Sequence, residues 1–423
     1  MRWLYSLMWY ALLPLLLLRL RWLARANAGW GQRWKERFGA VEPPGTEGRT
    51  LIWLHTASVG EVLAAAPLVR ALRQDESLML LLTTTTPTGA DRVVSLFGDS
   101  VAHCYMPFDL PGSVARFLAR VQPRVLLLME TELWPNVVAA CHRREIPTIL
   151  INGRLSARSA RRYQRFAGLS RAMLQRLSEA GIQSRDDAER FQRLGLRPEA
   201  THITGNIKFD LTLDDSARQR AAMLRRTWVG ESERKVCIAA STHRGEDEVI
   251  LEAWDKVREQ MADRPLLVLV PRHPERFAAV GDLVKVRGLR MARRSSQETV
   301  TGATDVVLGD VMGEMLTMYG ASDLAFVGGS LVPNGGHNLI EPAAWGLPLL
   351  SGPHLFNFSE VAALLGEAGA LKVVEDSGSL AEAVLELLGI EALREIRGQA
   401  AREVAEANRG ALEKTLHLIR RYC

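Results

Sequence analysis

Leu51-Ile52-Trp53-Leu54-His55 runs directly into Thr56-Ala57-Ser58-Val59-Gly60-Glu61. An uncharged run rich in leucine and isoleucine, too short for a helix, reads as a strand buried on both faces. Its small, polar exit leads into a helical stretch, so the segment is a strand handing over to a helix. The same unit recurs along the chain. Leu78–Thr83, Arg124–Met129 and Thr148–Ile151 repeat the pattern, and a polar, arginine-rich helical segment follows at Leu211–Glu233. A second series then opens at Lys235–Ala240 and continues with Leu266–Val270, Asp305–Leu308, Leu324–Val327 and Leu347–Leu350. This alternation predicts an α/β chain of two doubly wound, Rossmann-like domains joined near residues 210–232. Ligands of such sheets bind beyond the carboxyl ends of the strands, and two such halves would enclose a cleft.

Composition agrees with two full cores. The chain has 423 residues, 47% hydrophobic and 24% charged, which excludes wholesale disorder, a collagen-like repeat and a multi-span membrane protein. Cys104, Cys141, Cys237 and Cys423 show no CxxC spacing, which argues against a disulfide framework or a zinc site and fits a reducing compartment. The net charge of +5 is concentrated at the start. Residues 1–40 carry seven basic side chains against one acid, Glu36, for a local +6 that leaves the rest near −1. That basic excess lies beside an apolar run, with no nucleic-acid motif after it, so a membrane surface is the better partner.

The apolar run is Trp3–Leu18, followed by Arg19, Arg21 and Arg25. Its helical length of about 24 Å is short of the roughly 30 Å hydrocarbon core, a gap that snorkelling arginines could close. Ala26-Asn27-Ala28 resembles a signal-peptidase site, but three arginines before it are the wrong flank for secretion. An uncleaved anchor over residues 1–25 is expected, single-pass or monotopic, with the remaining chain on the cytoplasmic side by the positive-inside rule.

Polar motifs fall just after the strands in both halves. None is GxGxxG or GxxxxGK[ST], so a dinucleotide dehydrogenase and a P-loop ATPase lose support and a glycosyltransferase gains it. Glu61 is either a cleft carboxylate able to take a proton from an attacking hydroxyl or a first-turn acid stabilised by the helix dipole. Glu130 and Glu132, at i and i+2, share a face if their strand persists, or else form an acidic entry to the helix beginning near Pro135. A divalent metal on this pair lacks a third ligand. Lys208, in Gly205-Asn206-Ile207-Lys208-Phe209-Asp210 after a strand at Thr201–Thr204, is a solvated linker lysine or a cation for a leaving phosphate. Pro271 and Arg272 follow a buried strand, where the guanidinium can fork onto phosphate, while the neighbouring His273 has a loop hydrogen bond as its simplest role. Asn338-Leu339-Ile340-Glu341, behind Gly335-Gly336, reads as a capped helix start and also as a phosphate site. Between Asn152 and Leu177 lie seven arginines and no acid, a solvated helix face or a surface for an anionic bilayer and a phosphorylated glycolipid.

Taken together these blocks resemble a known family along nearly the whole chain. Arg33-Trp34-Lys35-Glu36-Arg37-Phe38-Gly39, SVGE at 58–61, METELWPN at 129–136, NGRLSARS at 152–159, GNIKFD at 205–210, PRHPERF at 271–277 and FVGGSLVPNGGHNLIEPAAWGLP at 326–348 match the membrane-anchored Kdo transferases in order and spacing. These are glycosyltransferases that move 3-deoxy-manno-octulosonic acid from CMP-Kdo to a lipid A precursor. The resemblance implies the GT-B architecture, with the acceptor on the N-terminal half and the nucleotide on the C-terminal half. It implies Glu61 as general base, Glu132 more than Glu130 as an aid to the transition state, and Lys208 as its stabiliser. Pro271, Arg272, Met312, Gly313, Glu314, Asn338, Leu339, Ile340 and Glu341 would line the CMP pocket. The expected domains are an anchor at 1–25, an acceptor domain at 26–212 and a CMP-Kdo domain at 213–423, whose last helix has the option of crossing back. No metal or other cofactor and no nucleic acid is expected. The expected partners are CMP-Kdo, a lipid A precursor and the cytoplasmic leaflet of a bacterial inner membrane. Two alternatives stay open: a GT-B enzyme using a UDP-hexosamine, and a catalytically silent, membrane-tethered glycolipid-binding module.

Overall fold

The computed structural model describes residues 2–26, 28–211, 213–230 and 232–423. Asn27 of the signal-like tripeptide and Thr212 at the expected domain boundary lie outside them. Two units emerge: Met1–Asp210 with Arg409–Cys423, and Leu211–Asn408.

Unit 1 holds β1 (Thr50–His55), β2 (Leu78–Thr84), β3 (Ala102–Tyr105), β4 (Val125–Met129), β5 (Thr148–Gly153), β6 (Glu179–Ile182) and β7 (Thr201–Ile203). They form one parallel sheet in the order β3-β2-β1-β4-β5-β6-β7. Of the five strands read from sequence in this half, β1, β2, β4 and β5 form its centre, where burial on both faces demands continuous apolar runs, and β7 is an edge strand. Strands β3 and β6 escape that reading because one is a half-buried four-residue strand and the other contains Glu179 and Gly181. One face packs Trp53, Phe117, Leu126 and Phe191. The other packs Ile52, Leu54, Leu68 and Leu127, and Ile419 from the last helix.

Unit 2 repeats the plan. Its strands are β8 (Val236–Thr242), β9 (Leu266–Pro271), β10 (Met291–Arg293), β11 (Val306–Leu308), β12 (Leu324–Val327), β13 (Leu349–Ser351) and β14 (Leu371–Val373). Their parallel order is β10-β11-β9-β8-β12-β13-β14. The arginine-rich segment that opens this half is the helix Asp215–Val229, capped by Asp214 accepting the Ala217 N–H at 2.7 Å. Its Leu224 and Trp228 belong to the core of unit 2, so it is a layer of that unit and not a solvated linker.

In unit 1 the chain winds outward from β1 in two directions, and in unit 2 it does so from β8, with β11 inserted between β10 and β9. The topological switch lies between β1 and β4 in unit 1 and between β8 and β12 in unit 2. Ligand crevices of open parallel sheets form at these points, outside the strand carboxyl ends.

Candidate active site

The unit 1 switch point is acidic. Beyond β1, Ser58 precedes the helix Val59–Leu72 and Glu61 stands in its first turn. The Glu61 carboxylate accepts the Ala57 N–H at 2.8 Å and the Ser58 hydroxyl at 3.1 Å. Glu61 is thus a first-turn acid that ties the helix start to the chain leaving β1. Burial pushes its carboxyl up to about 7, a rise that the charges of Glu132 and Glu130 reinforce and the two hydrogen bonds oppose.

Beyond β4 the strand does not persist. Glu130 takes a left-handed conformation, φ 53°, so Glu130 and Glu132 do not share a strand face. Their partners differ accordingly. Glu130 accepts Lys208 Nζ at 3.2 Å. Glu132 accepts the Trp134 indole N–H at 3.2 Å and faces His55 Nε2 at 3.5 Å.

Lys208 is placed by a buried amide network. Asn152, fully buried and left-handed at φ 51°, accepts the Ile207 N–H at 3.0 Å through its side chain. Gln183 donates to the Asn152 carbonyl at 3.0 Å and accepts Asn206 Nδ2 at 3.2 Å, while Asn206 Oδ1 accepts the Lys208 N–H at 3.0 Å. This network seats the single turn Ile207–Phe209 that carries the lysine. Lys208 is thus tethered to Glu130 at the β4 exit.

Sequence reasoning missed His55. It ends β1, fully buried, with Nδ1 at 3.0 Å from Thr83 Oγ1, which accepts the Trp53 indole N–H at 2.9 Å. Its Nε2 has no hydrogen-bond partner and points toward Glu132. A histidine at the last position of a buried strand was the available signal, because the strand exit is where a parallel sheet presents polar groups.

Unit 2 presents the opposite chemistry at its switch point. Arg272 follows Pro271 at the end of β9, with its N–H on the Thr242 carbonyl at 3.0 Å. His243, after β8, lies Nε2 to Nε2 at 2.8 Å from His337, and the His273 ring centre is 5.2 Å from that of His243. One imidazole of the close pair must carry the shared proton. Burial, with His243, Arg272 and His273 acting in the same direction, lowers His337 to about 4. The crevice is held by Glu246, fully buried, whose carboxylate accepts the N–H groups of His243, Gly329, Ser330 and Leu331 at 2.7–2.9 Å. Arg276 pairs with buried Asp247, bonded in turn to the Thr242 hydroxyl.

The other expected nucleotide residues divide by exposure. Met312 is exposed and Gly313 is left-handed at φ 88°, on the loop after β11, while Glu314 is tied to Arg294 at 2.8 Å. Asn338 accepts the Ile340 N–H at 3.0 Å and donates to Glu341 at 3.0 Å. Leu339 and Ile340 are fully buried, so neither presents a side chain at the surface of the crevice. Burial raises the Glu341 carboxyl. The helix here, Ile340–Trp345, has six residues, too short for a substantial dipole. Arg272 and the imidazoles are the groups of this crevice whose chemistry suits an anion.

Among the described residues no three His, Cys, Asp or Glu side chains converge to hold a metal ion. A groove of about 780 Å³ opens beside Glu132, lined by Leu4, Tyr5 and Met8 of the first helix and by Trp134, Tyr163 and Phe166.

Two doubly wound parallel units, one with carboxylates and a lysine at its switch point and the other with arginines and imidazoles, have the architecture of the GT-B class. Its fold is similar to that of the UDP-GlcNAc 2-epimerase from Neisseria meningitidis, with a TM-score of 0.60 at 15% identity over 88% of this chain and 100% of that one. A sequence model of the family described as 3-deoxy-D-manno-octulosonic-acid transferase (kdotransferase) matches residues 32–211. The 3-deoxy-D-manno-octulosonic acid transferase of Haemophilus influenzae is 45% identical over 413 residues, covering 97% of this chain and 96% of the relative. That of Bordetella pertussis is 39% identical over 373 residues, covering 86% of each. The chain belongs to the 3-deoxy-D-manno-octulosonic acid transferase family.

Proposed function

We propose that the chain transfers Kdo from CMP-Kdo to a lipid A precursor, lipid IVA, with inversion at the anomeric carbon, on the cytoplasmic face of a bacterial inner membrane. The observation that carries this reading is Glu61, held at the β1 exit with its carboxyl raised to about 7, beside the Glu130–Lys208 pair. A carboxylate of that pKa accepts a proton effectively near neutrality. The acceptor hydroxyl attacks the anomeric carbon and gives its proton to Glu61 as the bond to the phosphate of CMP breaks. Lys208 stabilises the charge that the departing phosphate gains, and Glu130 holds the ammonium in place. Glu132, steadied by Trp134 and His55, keeps the base's environment acidic and its pKa high. Unit 2 supplies the donor site, with Arg272 and the imidazoles for the phosphate and the segments 312–314 and 338–341 for the nucleoside.

The scheme includes no metal, the Lys208 ammonium taking the part of a divalent ion toward the departing phosphate. Mass spectrometry of the product formed from CMP-Kdo and a tetraacylated lipid A precursor tests donor, acceptor and sugar count together. A mass gain of Kdo units is expected. Binding of UDP in preference to CMP would replace this reading with a UDP-sugar transferase.

A further inference from the structure

The first helix, Arg2–Ala26, is docked on the rest of unit 1 near its start, and the chain just beyond its end is held by the same unit. At its start Ser6 is buried and donates to Asn136 Oδ1 at 3.1 Å. Asn136 is itself fixed by Asp109, donating its side-chain amide to the Asp109 carbonyl at 2.7 Å and its main-chain N–H to the carboxylate at 3.0 Å. Tyr5 also faces that carboxylate. After the helix the chain returns at once. The Trp30 ring lies under the Arg37 guanidinium, which also stacks on Tyr105 and donates to the Thr85 carbonyl at 3.0 Å. Arg33 donates to the His103 carbonyl at 2.6 Å.

Trp30 is only four residues beyond the helix, a reach of at most about 14 Å. Ser6 is in direct contact with the unit. A spanning helix must put its ends on opposite sides of roughly 30 Å of hydrocarbon. A helix whose first turns dock on one folded unit, and whose last turn lies within that short reach of the same unit, cannot do so.

The outward face shows what covers it. Trp3, Leu7, Leu15, Leu18 and Trp22 are 59–68% exposed and, at about 100° per residue, share an arc of about 120°. The less exposed positions Tyr5, Ser6, Trp9, Leu13, Leu16 and Leu20 follow the opposite stripe. Arg19, Arg21 and Arg25 are exposed at the end of this helix. Exposed Arg158, Arg161, Arg162 and Arg165 lie on and just after the helix Ala157–Gln164, whose Arg162 and Tyr163 line the same groove as Leu4 and Met8. Apolar side chains bordered by arginines, with tryptophans near both ends, complement an anionic bilayer surface.

We propose that the first helix lies in the plane of an anionic leaflet and does not cross it, forming with the neighbouring arginines a monotopic docking face. The groove beside Glu132 then opens at lipid level. This assignment is independent of the sugar and nucleotide transferred.

A cysteine appended before Met1, in a Cys423→Ser background that leaves only the three buried cysteines, reports the topology. A Glu47→Cys reference marks the side on which unit 1 lies, since that side chain is 82% exposed. With a membrane-impermeant maleimide, both cysteines should react in inverted vesicles and neither in intact spheroplasts, a contrast of at least about tenfold. Labelling of the appended cysteine, but not of Glu47→Cys, in spheroplasts would overturn the proposal. In a second arm, binding of the full chain to phosphatidylcholine–phosphatidylglycerol vesicles should fall about tenfold or more in the Leu7→Glu/Leu18→Glu variant. It should also weaken with phosphatidylcholine alone. A chain that ignores both vesicles and forms a dimer broken by the same substitutions would make the face a protein interface instead. Transfer to detergent-dispersed acceptor, measured in parallel, keeps failure here separate from failure of the reaction assignment.

Discussion

In the proposed reaction Glu61 combines a structural and a chemical duty that a single substitution can separate. Glu61→Gln keeps the shape and an oxygen for the Ala57 N–H, so folding and CMP binding should persist while transfer falls by 10³-fold or more, on the order expected for loss of a general base together with its charge. Turnover within about tenfold of wild type would make Glu61 a capping residue only. The pH profile follows from the sign of its shift. A carboxyl raised to about 7 is protonated and inactive as a base below that value, so kcat/KM should rise with pH through an apparent pKa of about 7. Stability runs the other way. The folded state holds this proton more tightly than the unfolded chain, so ionisation of Glu61 weakens the fold as pH climbs from the ordinary glutamate range through about 7. Glu132→Gln removes one of the charges that raise Glu61, and the activity limb should move to lower pH. A limb that stays in place would assign it to another group. Lys208→Ala should cost on the order of 10²-fold in turnover, with activity in excess EDTA little changed, because a preorganised cation is lost that no solvent ion replaces. Abolition by EDTA and rescue by Mg²⁺ would revive Glu130 and Glu132 as metal ligands.

At the scale of elements, the loops after β8 and β12 are joined through one side chain. Glu246 accepts four main-chain N–H groups from these two loops, so Glu246→Ala leaves buried donors unsatisfied at about 1–3 kcal/mol each. Unit 2 should lose on the order of 4 kcal/mol or more, read as an earlier denaturant midpoint, and the His243–His337 contact should open. A Glu246→Gln variant, which still accepts but cannot match a carboxylate with four donors, should fall between the two. Gly328 enforces the same approach, since a Cβ there would stand 2.8 Å from the Ser241 carbonyl oxygen. An unchanged midpoint for Glu246→Ala would mean that the strand ladders alone hold the crevice.

For the whole molecule, the chain's return to unit 1 is the feature with the widest consequence. The helix Ala411–Arg420 buries Ile419 fully in the unit 1 core, and Asp210 accepts the N–H groups of Gly410 and Leu412 at the point of re-entry. Truncation after Asn408 strips apolar cover worth about 1.5–3 kcal/mol per large aliphatic side chain from unit 1, the unit to which this helix belongs. Amide hydrogen exchange should therefore accelerate in β5 and β6 while β8, β9 and β12 keep their protection. Equal loss in both units would show that they unfold as one.

The sequence by itself determined the central strands, the two-sheet plan and the strand-exit location of Glu61, Glu130, Glu132, Lys208 and Arg272. Buried parallel strands must be continuously apolar, and their exits are where the polar residues collect. Only the tertiary structure decided which groups meet. The pairing of Glu130 with Lys208 spans 78 residues, and that of His243 with His337 spans 94. The left-handed turn at Glu130 broke the expected alternation between the two acids. Edge strands β3, β10 and β14 were illegible because three or four partly covered residues need no apolar run. The placement of the first helix shows the same division. Its hydropathy announced an affinity for lipid, but whether such a helix crosses or lies flat depends on where its two ends are held. That is decided by Ser6 on Asn136 and Arg37 on Tyr105, contacts between residues far apart in the chain that no local pattern encodes.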